Sequence, residues 1–134
     1  THCLAAVTRT DATRAGNVKS LGLDLEPDMA LEPALWPEIC TSAELDWLDT
    51  QPAPARGRLA RAIFSAKECA YKAQFRQSQV MFDFQTLEIE FIPDTDRFVA
   101  TYQRGIDPFA IGDQLEGRYR RLEGWVLTAM RLPV

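Results

Sequence analysis

Apolar and polar residues alternate or recur with a clear period along much of this chain, and the period changes from segment to segment. Leu59, Ala62, Ile63, Ala66, Ala70 and Ala73 recur at i, i+3, i+4, i+7 spacing, which predicts a long amphipathic helix near residues 56–77. Period two takes over elsewhere. Residues 20–26, closed by Pro27, and residues 86–91 and 97–102, joined through Asp94-Thr95-Asp96, read as strands. Residues 117–122 and 125–132, linked by Glu123-Gly124, read as a final hairpin. Near the start, Leu4 to Thr8 reads as a short strand that Ala15-Gly16-Asn17 would turn back against residues 20–26. Pro27, Pro33 and Pro37 predict a loop or broken helical stretch over residues 27–40. Thr41-Ser42-Ala43-Glu44 resembles a capping box opening a helix through Leu48, and Gln51-Pro52-Ala53-Pro54 reads as the next loop. The order predicts one α+β domain over residues 1–134, a mostly antiparallel sheet packed on a long helix, with residues 1–19 a preceding strand and linker.

Length and composition narrow the chemistry. With 134 residues and 46% hydrophobic content there is material for one core. No apolar run reaches the length of a membrane span and no secretory leader is visible, so the chain reads as cytoplasmic. It starts at Thr1 without methionine and runs at once into Leu4-Ala5-Ala6-Val7, as a piece of a longer protein would. The thiols Cys3, Cys40 and Cys69 match no zinc spacing and read as buried or idle. With His2 the sole histidine, a serine or cysteine nucleophile activated by imidazole is not expected. Carboxylates, lysines or a metal must carry any reaction.

A net charge of −4 argues against a nucleic-acid binder. Within this acidic chain Arg56, Arg58, Arg61, Lys67, Lys72 and Arg76 are accompanied by only one acid, Glu68, so the long helix is basic. Such a helix suits phosphates or an acidic partner, and equally a solvated face.

Two groups of acids stand out. In Leu21-Gly22-Leu23-Asp24-Leu25-Glu26 the leucines share one strand face, and Gly22, Asp24 and Glu26 share the other. Paired carboxylates suit Mg²⁺, with Gly22 allowing a ligand close to the backbone. The same alternation in Leu87-Glu88-Ile89-Glu90-Phe91 suits a solvated sheet face, and spacing does not separate the two readings. On the helix, Glu68 lies opposite the alanine stripe, flanked by Phe64, Tyr71 and Phe75. A carboxylate in an aromatic patch needs a partner, which is a metal or a lysine such as Lys72 at i+4. Ser65-Ala66-Lys67-Glu68 also matches a capping box, but a helix starting there would leave the apolar stripe from Leu59 unused.

The segment Ser20 to Glu26, followed by Phe64-Ser65-Ala66-Lys67-Glu68-Cys69-Ala70-Tyr71-Lys72-Ala73, resembles the paired motifs of the Sfp-type 4′-phosphopantetheinyl transferases, nearer their enterobactin-type branch. Thr1-His2-Cys3 resembles the tail of that branch's Ser-x-x-His-Cys segment, and Glu123 to Ala129 its closing strand. Members are pseudo-dimers of two α/β halves, and the chain resembles the second half. The resemblance implies Mg²⁺ on Asp24, Glu26 and Glu68, coenzyme A phosphates on Lys67 and Lys72, and the 3′-phosphate or adenosine side on His2. Glu44 falls where some members have an acid linked to catalysis, besides its capping role. The implied reaction is attack of a carrier-protein serine on the β-phosphorus of coenzyme A, with release of adenosine 3′,5′-bisphosphate. Proton removal would fall to Glu68 or a metal-bound water. Implied partners are acyl or peptidyl carrier proteins of fatty acid, polyketide or nonribosomal peptide synthesis, and a lone half is expected to self-associate as a dimer or trimer. Cys69 stands where alanine or serine is usual. The alternatives are an inactive or self-associating fragment, and a metal-dependent phosphohydrolase built on the same three acids.

Overall fold

A computed structural model describes residues 18–133; the expected strand at Leu4 to Thr8, together with His2 and Cys3, lies outside the described residues. Among the described residues five strands form one antiparallel sheet: β1 (Val18–Pro27), β2 (Leu87–Phe91), β3 (Arg97–Tyr102), β4 (Gln114–Leu122) and β5 (Trp125–Pro133). Their order across the sheet is β1-β5-β4-β3-β2. Chain order explains most of it, because β2 through β5 run as a meander of successive hairpins. The β4–β5 turn places Glu123 and Gly124 at positive φ, which glycine adopts freely and which matches the twist of the flanking strands. β1 closes the far edge by pairing with the last strand.

Three helices lie on one face: α1 (Trp36–Ile39), α2 (Ser42–Asp49) and α3 (Ala53–Ser78). The expected loop at 51–54 is shorter than the sequence suggests, since α3 begins at Ala53 with Pro54 in its first turn, where a missing N–H costs nothing. It ends at Gln79, whose left-handed φ of 56° terminates the backbone ladder. The helix is continuous through Ser65, so no cap forms there; Ser65 is buried and hydrogen bonded to Thr128 Oγ1 at 2.9 Å.

The core lies between α3 and the sheet face bearing Ile89, Phe98, Ala100, Tyr102, Leu115 and Met130. Leu48, Ala62, Ile63, Ala66, Ala70 and Ala73 seal it from the helical side. Cys40 and Cys69 are buried free thiols, pushed up to about 11 and about 12 chiefly by burial, which makes them inert as nucleophiles. No described helix is long and apolar enough to cross a membrane.

Gly22 sets the closest approach of helix and sheet. A Cβ there would collide with the Cys69 carbonyl oxygen and would sit 2.8 Å from Ala73 N and 2.9 Å from Ala73 Cβ. The glycine on the acidic strand face therefore admits the backbone of α3, where the sequence suggested a ligand.

Candidate functional site

The face of β1 that carries Gly22, Asp24 and Glu26 is the one turned towards α3, and along it the two elements form a charged seam. Lys72 Nζ donates to Asp24 Oδ1 at 2.9 Å and to the Leu23 carbonyl at 3.1 Å. Further along, Arg61 approaches Glu26 at 3.6 Å, and Asp28 is held by both Arg58 and Arg121, the latter at 2.6 Å. This pairing follows from α3 running antiparallel to β1. Much of the basic charge of the helix is thereby matched internally, and Lys72 reaches across to the strand instead of forming its salt bridge with Glu68 at i+4.

Asp24, Glu26 and Glu68 share this seam, where burial and the charge of Asp24 raise the carboxyls of Glu26 and Glu68. The Glu26 carboxyl is pushed up to about 7 by burial first, then by the charge of Asp24 and a hydrogen bond with it, against the pull of Arg61. Glu68 is raised by burial and by Asp24, and Lys72 opposes the shift. Asp24 itself is buried, with Oδ2 finding no hydrogen-bond donor among the described residues. Its like-charged neighbour Glu26 can serve that atom only by carrying a proton.

Glu26 makes the stability of the chain depend on pH. With the folded value near 7 and the ordinary value of 4.5, the folded chain keeps a proton between those limits that the unfolded chain releases. Stability is therefore greatest below pH 4.5 for this group and falls as pH rises through 7. Partial solvent contact limits the effect to about 1–2 kcal/mol. With chelator present, melting temperatures at pH 5 and 7.5 should differ less in Glu26→Gln than in the unaltered chain; an equal difference in both would remove Glu26 as the cause.

The donor set suits a hard divalent cation in kind: carboxylate oxygens, one of them buried and unsatisfied, in a seam with excess negative charge. In their present positions no three His, Cys, Asp or Glu side chains among the described residues converge on one point that would hold a metal ion. Asp24 and Glu26 are two residues apart on one strand face, and Glu68 contributes from α3.

At Glu68 opens a groove of about 170 Å³, lined also by Lys67, Tyr71, Met81, Phe82, Asp83, Phe84 and Leu87. Phe82 meets the ring of Tyr71 edge-on at 5.1 Å, and Phe84 lies 5.6 Å from Phe64. The aromatic patch around Glu68 is thus covered by the segment leading into β2, as two apolar helix faces require.

Glu44, Lys67, Glu88 and Glu90, also singled out in the sequence, lie apart from the seam. Glu44 completes the predicted capping box, accepting from Thr41 N at 2.8 Å while Thr41 Oγ1 accepts from Glu44 N at 3.2 Å. It also pairs with Lys67 at 2.8 Å, both side chains buried. Burial pushes the Glu44 carboxyl up, against the pull of Lys67. Glu88 is half-buried and accepts from Thr41 Oγ1 at 2.8 Å, whereas Glu90 is exposed. Sequence reasoning missed Arg61, Arg58 and Asp28 as parts of the seam; their signal was the run of acids in β1 facing a basic helix.

Known proteins resemble this chain over most of its length. Residues 20–129 match the family model of the 4′-phosphopantetheinyl transferase superfamily. The chain is 30% identical over 135 residues to the 4′-phosphopantetheinyl transferase Svp of Streptomyces mobaraensis, covering 97% of this chain and 54% of that protein. It is 34% identical over 145 residues to the 4′-phosphopantetheinyl transferase PptT of Mycobacterium tuberculosis, covering 98% of this chain and 60% of that protein. The chain thus spans little more than half the length of these relatives. With both motif segments, Ser20 to Glu26 and Phe64 to Ala73, inside the matched region and meeting in one seam, the chain belongs to the 4′-phosphopantetheinyl transferase superfamily.

Proposed function

We propose that this chain is the metal- and coenzyme A-binding half of an enzyme that transfers the 4′-phosphopantetheine group of coenzyme A to a serine of an acyl or peptidyl carrier protein. The observation that carries this reading is the junction of Asp24, Glu26 and Glu68 with the ammonium of Lys72 beside an apolar groove. Asp24, Glu26 and Glu68 would hold Mg²⁺, whose charge, when bound, neutralises the pyrophosphate of coenzyme A. Lys72 is nearly half exposed, so its ammonium can exchange Asp24 for a phosphate oxygen on the leaving side. Glu68, its carboxyl raised chiefly by burial, is a stronger proton acceptor than an exposed glutamate and is suited to take the serine proton. The serine oxygen forms a bond to the β-phosphorus as the bond to the adenosine 3′,5′-bisphosphate breaks. The groove beside Glu68 offers the apolar side chains of Tyr71, Phe82, Phe84 and Leu87 to the pantetheine arm. His2 would serve the adenosine side, and its place lies outside the described residues. The reading is tested by the intact mass of an apo carrier protein incubated with the chain, coenzyme A and Mg²⁺: a gain of one phosphopantetheine, abolished by EDTA, supports it, and release of inorganic phosphate from simple esters with no such gain favours a phosphohydrolase.

One observation favours a second component of this reading. The described helices leave the other sheet face uncovered, and there Leu23 and Leu25 of β1 lie opposite Ala129 and Leu127 of β5, with Leu21 opposite the exposed Arg131. A half-buried apolar stripe of this kind drives association, and a second copy of the chain would cover it as a dimer or trimer. Light scattering at micromolar concentration should return a multiple of the chain mass of 15.1 kDa, whereas a monomer would dismiss self-association.

A further inference from the structure

The strongest feature outside the seam is the ion pair of Glu44 and Lys67. Lys67 immediately precedes Glu68 on α3, yet its side chain is 2% exposed and turns inward. An ammonium has three protons to donate, and three acceptors surround this one: the Ile39 carbonyl at 2.7 Å, the Phe84 carbonyl at 2.9 Å and Glu44 Oε2 at 2.8 Å. Glu44 is equally engaged. Its Oε1 accepts from Ile89 N at 2.7 Å and its Oε2 from Thr41 N at 2.8 Å.

We propose that Glu44 and Lys67 are positioning residues, whose buried pair fixes the wall of the groove beside Glu68 without touching coenzyme A or the carrier serine. The partners of the pair belong to segments distant from Lys67 in sequence. Ile39 ends α1, Thr41 caps α2, Phe84 precedes β2 and Ile89 lies within it. Phe84 and Leu87 form the wall of the groove that faces Glu68 and Tyr71. One ion pair therefore anchors that wall to the helix turn carrying Glu68. Gln85 reinforces the anchor, donating to the Cys40 carbonyl at 2.7 Å. A Lys67 with all three protons in use has none for a phosphate, and a Glu44 with both oxygens occupied by backbone N–H groups has no free oxygen aimed at a serine. A buried pair of this kind is costly to break from one side, because the remaining charge is left unmatched in the interior.

The inference rests on the transferase reading for its consequence in catalysis, but its structural core is testable without activity. Amide hydrogen exchange over residues 82–89, coenzyme A affinity by calorimetry, and transfer kinetics should be measured for Glu44→Gln, Lys67→Met and the double variant. Each single variant is expected to accelerate exchange over 82–89 by at least about tenfold. Coenzyme A affinity and its KM should stay within about threefold while kcat falls by about tenfold or more. The double variant should be no worse than Lys67→Met alone, because both changes break one unit. The positioning role is overturned if Lys67→Met weakens coenzyme A binding by about tenfold or more with exchange over 82–89 unaltered. It is also overturned if Glu44→Gln leaves exchange unaltered and removes a limb of the pH–rate profile, as loss of a proton acceptor would. Should Lys67→Met not fold, Glu44→Gln alone carries the measurement. An unaltered chain that neither binds coenzyme A nor transfers the arm would defeat the transferase reading, and exchange would still decide what the pair holds.

Discussion

Gly22→Ala is expected to lower the melting temperature by about 10 °C or more, corresponding to about 3 kcal/mol or beyond for a domain of this size. The reason is that the added methyl group meets backbone on the far side. The Cys69 carbonyl oxygen and Ala73 N, the latter 2.8 Å away, belong to an unbroken helix and have no rotamer to change. Relief requires α3 to lift from β1. Such a shift would also separate Ser20 from the Ala73 carbonyl, and Lys72 from Asp24. The same variant therefore damages the seam as well as stability. Circular dichroism melts check the first effect, and Mg²⁺ titration well below the melting temperature checks the second. A Gly22→Ala chain that melts within 2–3 °C of the parent, a shift worth less than about 1 kcal/mol, would show that helix and strand pack more loosely than these distances require.

The glycine illustrates how far the sequence carried the fold. Period two correctly grouped Gly22, Asp24 and Glu26 on one face of β1, but alternation is symmetric and does not say which face the helix covers. With leucines on the other face, a core against the leucines is the simpler expectation. The structure puts α3 on the glycine side, because close backbone approach is available only there. The 3.6-residue stripe from Leu59 to Ala73 located α3 to within a few residues at each end, and the Thr41–Glu44 box located the start of α2. Long-range pairing was out of reach. Lys67 counted as one more base on a basic helix, although it sits at i+4 from Ile63 and at i−3 from Ala70, inside the apolar stripe. Its partner Glu44 is on another helix, and no local pattern links them. The place of β1 at the end of the strand order among the described residues likewise depends on its pairing with β5, the strand most distant in sequence.

Asp24→Asn is expected to reduce transfer by about two to three orders of magnitude while leaving the melting temperature unchanged or slightly raised. The amide keeps the shape of the carboxylate, and its oxygen still accepts from Lys72 where Oδ1 does now, at 2.9 Å. What is lost is a negative charge that crowds the neighbouring carboxyls. Asp24 raises the carboxyls of both Glu26 and Glu68, and its own Oδ2 is buried without a hydrogen-bond partner among the described residues. Removing that charge relieves repulsion in the folded chain, so Glu26 should ionise at a lower pH in the variant. A structural acid behaves in the opposite way, because its loss would cost stability and leave Mg²⁺ binding intact. Glu68→Gln provides the companion measurement, since it removes both a proposed cation ligand and the proposed proton acceptor. The two variants should share the loss of Mg²⁺ affinity in calorimetry. Retained transfer by either one, with the fold confirmed, would separate that carboxylate from the chemistry. Loss of transfer with stability preserved in both would identify the unfavourable crowding of charge along β1 and α3 as the feature that function requires.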